Sequence, residues 1–277
     1  MWEIIKAIII GIVQGVTEWL PISSTGHMIL VDQFLQLEVT SEFRSMFFVV
    51  IQLASVMAVV VIFWKKLFPF NFKKGEDLID KAKFNMWFKI VVACFPAAVI
   101  GILFDDWIDA TFYNFVVVAF TLVLYGFLFI DVENNNRMKK PRVDDLDKIS
   151  YKDALIIGLF QVLALIPGTS RSGATIIGAL LLGVSRTVAA EFSFFLAIPV
   201  MVGASLLKVL KFGFSFSSQE LIILGVGCLV AFIVSVIAVR FLVSYIKKND
   251  FRFFGIYRIV LGFLVLIYFG VVFFTSV

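Results

Sequence analysis

The chain has 277 residues, 61% of them hydrophobic and 16% charged, with a mean hydropathy of +1.02 and a formal net charge of +4. Soluble domains sit near about 45–50% apolar, so a soluble globular protein is excluded. A β-barrel is excluded too, because the apolar runs are continuous and do not alternate with period two.

The chain starts MWEIIKAIII. This segment lacks a basic region and a small-residue cleavage site and carries Glu3, so no cleaved signal peptide is expected. Residues 2–36 then hold two short helical patterns, 2–20 and 25–36, broken at Pro21 and a Ser/Thr/Gly cluster. Neither is a comfortable span. The apolar stretches Phe47–Trp64, Ile90–Phe104 and Phe112–Ile130 follow, and predict spans at about 43–65, 86–104 and 112–132. A polar linker covers 134–150. The pattern then recurs: helical stretches at 152–166 and 174–183 flank Pro167-Gly-Thr-Ser-Arg-Ser-Gly173. Three more stretches, Phe192–Leu210, Leu221–Val243 and Phe253–Phe274, predict spans at about 187–211, 219–245 and 253–275. Each long stretch approaches or exceeds the roughly 20 residues that cross a hydrocarbon core. Cys94 and Cys228 lie inside apolar runs, where a small buried side chain and not a disulfide is expected.

The cations give an orientation. Lys65, Lys66, Lys73, Lys74, Lys81, Lys83 and Lys89 surround the first long loop. Arg137, Lys139, Lys140, Arg142, Lys148 and Lys152 mark the central one, and Lys247, Lys248, Arg252 and Arg258 fall between the last two spans. Basic loops stay in the cytoplasm. The loops expected at 105–111 and 213–219 contain no Lys or Arg, although Lys208 and Lys211 border the second. This distribution follows topology, and the net charge is therefore no sign of a nucleic-acid partner.

Two segments match across the chain: GIVQGVTEWLPISSTG at 11–26 and GLFQVLALIPGTSRSG at 158–173. At an offset of 147, Gly11, Gln14, Ser23 and Gly26 meet Gly158, Gln161, Ser170 and Gly173, and Thr25 meets Ser172. Glu42-Phe43 and Glu191-Phe192 match at an offset of 149. The chain reads as a broken helix pair plus three spans, twice: 1–133 and 151–277, joined by a cytoplasmic linker at 134–150. Three is odd, so the second half enters the membrane from the opposite side. The expected fold is an all-α polytopic membrane protein with an inverted-topology repeat. Such folds place discontinuous helices near the midplane, where irregular backbone is tolerated if it lines a cavity. The competing reading has Pro21 and Pro167 merely kinking two ordinary spanning helices; the matched Ser/Thr/Gly clusters argue against it.

The breaks concentrate polar groups. Gln14 and Glu18 are one helical turn apart on one face. A carboxylate at membrane depth is costly and marks a functional site by default, with a metal ion, a proton or a cationic side chain as its partner. Ser23, Ser24 and Thr25 suit the start of the next helix, Gly26 allows close backbone approach, and His27, the sole histidine, falls three residues after Ser24 on the same helix face. In the second break, Gly168 and Gly173 relieve the backbone, while Thr169, Ser170 and Ser172 supply hydroxyls. Arg171 brings a fixed charge whose fork of donors suits phosphate. Two helix N-termini meeting there would aim free N–H groups at one anion. Together these groups fit phosphoryl chemistry.

QGVTEWLPISSTGH and PGTSRSGAT resemble the two signature motifs of the undecaprenyl-diphosphatase family, the bacitracin-resistance membrane phosphatases. The first matches (E/Q)-x-x-x-E followed by P-x-S-S-T-G-H, the second P-G-x-S-R-S-G. Similarity extends through Phe48-Val-Val-Ile-Gln52-Leu, Gly183-Val-Ser-Arg186 and Glu191-Phe-Ser-Phe194. The resemblance implies an enzyme of the bacterial inner membrane that removes the terminal phosphate of undecaprenyl pyrophosphate. The product, undecaprenyl phosphate, carries peptidoglycan and other wall precursors. It also implies a divalent cation, Mg2+ or Ca2+, a pocket open to the extracytoplasmic side, and re-entrant helix pairs. By position, Gln14 and Glu18 stand at the metal-assigned sites, Ser24 and His27 at those of nucleophile and acid/base in either order, and Arg171 at that of the phosphate-binding arginine. Ser23, Thr25, Gly26, Gly168, Thr169, Ser170, Ser172 and Gly173 complete the expected phosphate site. The expected partners are a polyprenyl pyrophosphate lipid, the membrane and a second copy of the chain. The rival reading is a transporter that flips polyprenyl phosphate lipids, because broken helices at the midplane are also transporter architecture. A channel fits worse, since Arg171 beside a carboxylate and a histidine is a poor pore lining.

Overall fold

A computed structural model of the protein describes residues 1–71, 77–213 and 215–275, and within these all side chains except those at 105, 109 and 273–275. Lys73 and Lys74 of the first basic cluster, and the last two residues of the expected second half, lie outside the described residues. The helices in chain order are α1 (Trp2–Thr17), α2 (Ser24–Phe34), α3 (Ser41–Ile62), α4 (Trp64–Leu67), α5 (Lys81–Phe112), α6 (Phe115–Asn136), α7 (Tyr151–Val162), α8 (Arg171–Leu181), α9 (Arg186–Phe212), α10 (Ser218–Ile246) and α11 (Arg252–Thr275). Among the described residues, six are long and apolar enough to cross a membrane: α3, α5 over Lys81–Phe104, α6, α9, α10 and α11 over Arg252–Val272. The protein is an all-α, multi-pass membrane protein. Its outward side chains agree, because Ile102, Phe120, Leu206, Ile237 and Ile267 are all well exposed. Such a surface suits lipid and would be an aggregation hazard in water.

Two expectations need correction. The loop placed at 105–111 is helix: α5 runs on to Phe112. That stretch is polar but holds no Gly or Pro to stop a helix. The stop comes at Asn114, whose side chain caps α6 by accepting a hydrogen bond from the Val117 amide at 3.0 Å. By sequence pattern, Arg258 falls with the loop cations between the last two spans. It lies two turns inside α11 and is fully buried.

The packing crosses between the halves. α1 lies against α10, α7 against α5, α3 against α9, and α6 against α11. Gly11 and Gly158 sit in the first two of these contacts. A Cβ at Gly11 would lie 2.9 Å from the Gly227 carbonyl, and one at Gly158 would overlap the Ala93 backbone. Small residues let membrane helices approach this closely, which matters because van der Waals packing drives association in lipid.

The linker before α7 is fastened down. The Arg142 amide donates to Gly183 O at 2.7 Å, and its guanidinium pairs with Asp153 at 2.6 Å. Burial pushes the Asp153 carboxyl up, but Arg142 and the Ser150 cap outweigh it and hold it below the ordinary carboxylate range.

Candidate functional site

Both short helix pairs break where the sequence places proline and hydroxyls, and both breaks end in the same backbone device. α1 ends at Thr17. Glu18 is still helical, and its amide bonds Gln14 O at 3.0 Å, so Gln14 and Glu18 share a face. Trp19 is fully buried and meets the Phe194 ring edge-on at 5.3 Å, which anchors the break against α9. Ser23 then adopts φ 74 and caps α2, its Oγ accepting from the Gly26 amide at 3.2 Å. In the second break, Ser170 adopts φ 70 and caps α8, its Oγ accepting from the Gly173 amide at 3.2 Å. These two are the positive-φ residues other than glycine among those described. Such a conformation costs on the order of 1–3 kcal/mol and persists only where its surroundings dictate it.

The device sets Ser24 and Arg171 at the first positions of α2 and α8, and Glu18 joins them. Glu18 is 5% exposed. Its Oε1 accepts from Arg171 Nη2 at 3.1 Å, and its Oε2 from Gln14 Nε2 at 3.0 Å and Ser24 Oγ at 2.9 Å. Arg171 Nη1 donates to Ser193 O on α9 at 2.9 Å. Two polar atoms of this cluster, Arg171 Nε and Gln14 Oε1, are buried without a hydrogen-bond partner. Buried polar groups are nearly always paired, so a pair of orphans in one cluster calls for a ligand, ion or water.

A cavity of about 120 Å³ opens beside the cluster, lined by Glu18, Ser24, Thr25, Gln52, Arg171 and Met201 among others. Gly168, Ser170 and Ser172 also face it, the two serine hydroxyls 3.2 Å apart. Gly168 has φ +87, and a Cβ there would overlap Thr121 Oγ1. That hydroxyl instead donates to Pro167 O at 2.8 Å. Thr169 is buried behind the cavity, and Ser23, Gly26 and Gly173 serve the caps.

The structure does not bring His27 to Ser24. The Ser24 hydroxyl donates to Glu18, while His27 is bonded elsewhere. Its Nδ1 lies 2.7 Å from Ser23 O and its Nε2 2.7 Å from the Tyr257 hydroxyl. The two rings stack, 5.7 Å apart. Both border a separate, largely apolar groove of about 380 Å³ between α1 and α11. Spacing three residues apart on a helix predicts one shared face, but Ser24 is the first helical residue and Glu18 captures its hydroxyl.

Sequence reading gave no site role to Gln52, Met201 or Arg258. Gln52 and Met201 line the cavity from α3 and α9. They stand 149 residues apart, the offset already visible in Glu42-Phe43 and Glu191-Phe192, so that match could have found them. The third is Arg258. Its Nη1 donates to Pro21 O at 3.2 Å, and its Nη2 to Gly168 O at 2.9 Å and Thr169 O at 3.0 Å. The guanidinium lies over the Tyr125 ring, 5.5 Å from its centre. Among the described residues no carboxylate forms an ion pair with it.

Among the described residues no group of three His, Cys, Asp or Glu side chains gathers as a ready metal cage. Glu18, the carboxylate that lines the cavity, and the unpartnered Oε1 of Gln14, which is bonded to it through Nε2, supply oxygen donors. These fit a hard cation that takes the rest of its oxygen shell from a bound phosphate and water.

Residues 7–264 match the family described as "Bacitracin resistance protein BacA". The chain belongs to this family. An "Undecaprenyl-diphosphatase" of Desulfitobacterium hafniense is 62% identical over 269 residues, covering 97% of this chain and 96% of its own length. One of Enterococcus faecalis is 62% identical over 266 residues, 96% of each chain. One of Acetivibrio thermocellus is 60% identical over 269 residues, 97% of this chain and 98% of its own. Both helix breaks of this BacA-family chain fall inside the matched segment.

Proposed function

We propose that the protein hydrolyses undecaprenyl pyrophosphate to undecaprenyl phosphate and inorganic phosphate, recycling the lipid carrier for cell-wall synthesis and conferring resistance to bacitracin. The observation that carries this is the convergence of Ser24, Glu18 and Arg171 at two capped helix starts on one small polar cavity. A hydroxyl, a carboxylate that accepts its proton and a guanidinium are the parts of a phosphoryl-transfer site.

The terminal phosphate occupies the cavity and the prenyl tail leaves between helices into the lipid. Ser24 Oγ attacks the terminal phosphorus, and its proton passes to Glu18 Oε2 along the existing hydrogen bond. The P–O anhydride bond breaks and undecaprenyl phosphate departs. Water then attacks the phosphoserine, freeing inorganic phosphate and restoring Ser24. Arg171 and the first amides of α2 and α8 stabilise charge on the non-bridging oxygens. Glu18 and Gln14 would hold Mg2+ or Ca2+, which would supply further charge neutralisation there. His27 holds the Ser23 carbonyl from outside and so orients the break that carries Ser24.

The loop charges support basic loops in the cytoplasm, and membership of the family supports a bacterial inner membrane and a cavity reached from the extracytoplasmic side. We read 1–133 and 151–277 as inverted repeats around the linker 134–150. The paired cap geometry at Ser23 and Ser170, and the crossed packing of α1 on α10 and α7 on α5, support this reading.

The test is phosphate release from undecaprenyl pyrophosphate by detergent-purified protein, with and without chelator. Release that falls with chelator is expected. Intact lipid binding with no release would overturn the enzyme reading in favour of a carrier. Trapping identifies the nucleophile: a phosphoenzyme stable to acid and labile to base is expected for Ser24, and the reverse would point to His27.

A further inference from the structure

We infer that Arg258 is a positioning residue of this site, a clamp that fixes both helix breaks from behind without touching the substrate. The inference rests on the hydrolase reading above, and its test separates the two.

The geometry is specific. Arg258 enters from α11, a helix that contributes nothing to the cavity lining. One guanidinium nitrogen bonds the carbonyl of Pro21 in the first break, the other the carbonyls of Gly168 and Thr169 in the second. In each break the bonded carbonyls lie one or two residues before the positive-φ serine that caps the next helix. The backbone oxygens just ahead of Ser23 and Ser170 are thereby tied to a single rigid plane. Gly173, at the start of α8, comes close enough that a Cβ would lie 3.3 Å from Arg258 Nη1.

A planar fork with several donors can hold two chain segments in a set relation, and an ammonium point charge cannot. Arg258 is 0% exposed and makes no ion pair among the described residues. An arginine buried this way is costly in a membrane protein and marks function. Apart from a long contact of Nη2 to Thr121 O on α6 at 3.5 Å, its bonds are to the two segments that carry Ser24 and Arg171. The relation it enforces is the one phosphoryl transfer needs, with the Ser24 hydroxyl and the Arg171 guanidinium brought to one carboxylate at the cavity wall. A misplacement of about 1 Å in such a constellation costs on the order of 10²-fold in rate.

The experiment purifies wild type, Arg258→Lys and Arg258→Gln in detergent. It compares thermal melts and measures kcat and KM for undecaprenyl pyrophosphate. Both variants are expected to stay folded, to lose kcat by about 30- to 100-fold, and to keep KM within about threefold. Lys is expected to fare no better than Gln, because it keeps the charge and loses the fork. Near-wild-type kcat in either variant overturns the clamp. Full activity in the Lys variant alone would reduce the role to charge. Collapse of the fold in both variants also overturns it, by making Arg258 a residue of the bundle. If wild type itself releases no phosphate, it is the hydrolase reading that fails.

Discussion

Ser23 and Ser170 hold nearly the same backbone angle, φ 74 and 70, and each caps its helix through the amide three residues on. The positions around them differ. At the offset of 147, Ser24 faces Arg171, Glu18 faces Leu165, His27 faces Ala174, and Gln14 faces Gln161. The first break carries the hydroxyl and the carboxylate, and the second carries the cation. The capped helix start is thus present twice, while the polar side chains around it differ between the two breaks. A pocket assembled this way needs both breaks to be in register, which is why one buried arginine bonded to both stands out.

That comparison can be broken experimentally. Removing the hydroxyl from the first break should do most. Ser24→Ala is expected to lower kcat by at least about 10³-fold in a phosphate-release assay. Removing the fork from the second should come next, with Arg171→Lys losing about 10²- to 10³-fold in kcat/KM. The second break also carries a backbone demand. Gly168→Ala meets both φ +87 and the Thr121 hydroxyl, and should destabilise the protein by about 2–3 kcal/mol in a thermal melt. Gln14→Glu adds a second acid to the first break and should tighten cation binding by about tenfold, read as half-saturation in a metal titration. Equal half-saturation in the two proteins would remove Gln14 from the cation site. Gln161 has no acid four residues on and lies buried beside the Cys94 thiol. Gln161→Leu should therefore leave activity within about twofold and stability within about 1 kcal/mol. A large loss of activity there would show that the second break does more than supply the cation.

Much of this architecture is written in local chemistry. The six spans are apolar runs of sufficient length, and the breaks are proline followed by hydroxyls and glycine. Both signals act over a few residues and survive folding. What the sequence hides depends on side-chain direction and on distant contact. The stretch 105–111 looked like a loop because it is polar, but helix ends are set by caps, and the cap is Asn114. Arg258 looked like a loop cation because it follows Lys247, Lys248 and Arg252, and charge alone does not report depth. Its partners are main-chain oxygens 90 and 237 residues away, which no side-chain pattern encodes. His27 looked like the partner of Ser24 because helical spacing says so, and nothing local announces Tyr257, 230 residues on.

The three bonds at Glu18 have one more consequence. Gln14, Ser24 and Arg171 all donate to one carboxylate, which latches the three to one another. The serine proton and the guanidinium are held by the same two oxygens. An arriving phosphate competes with Glu18 for Arg171. On the hydrolase reading, that competition would loosen the carboxylate and leave Glu18 freer to accept the serine proton. The bond that holds the Ser24 hydroxyl on Glu18 is thus, on the same reading, also the one through which substrate would arm it.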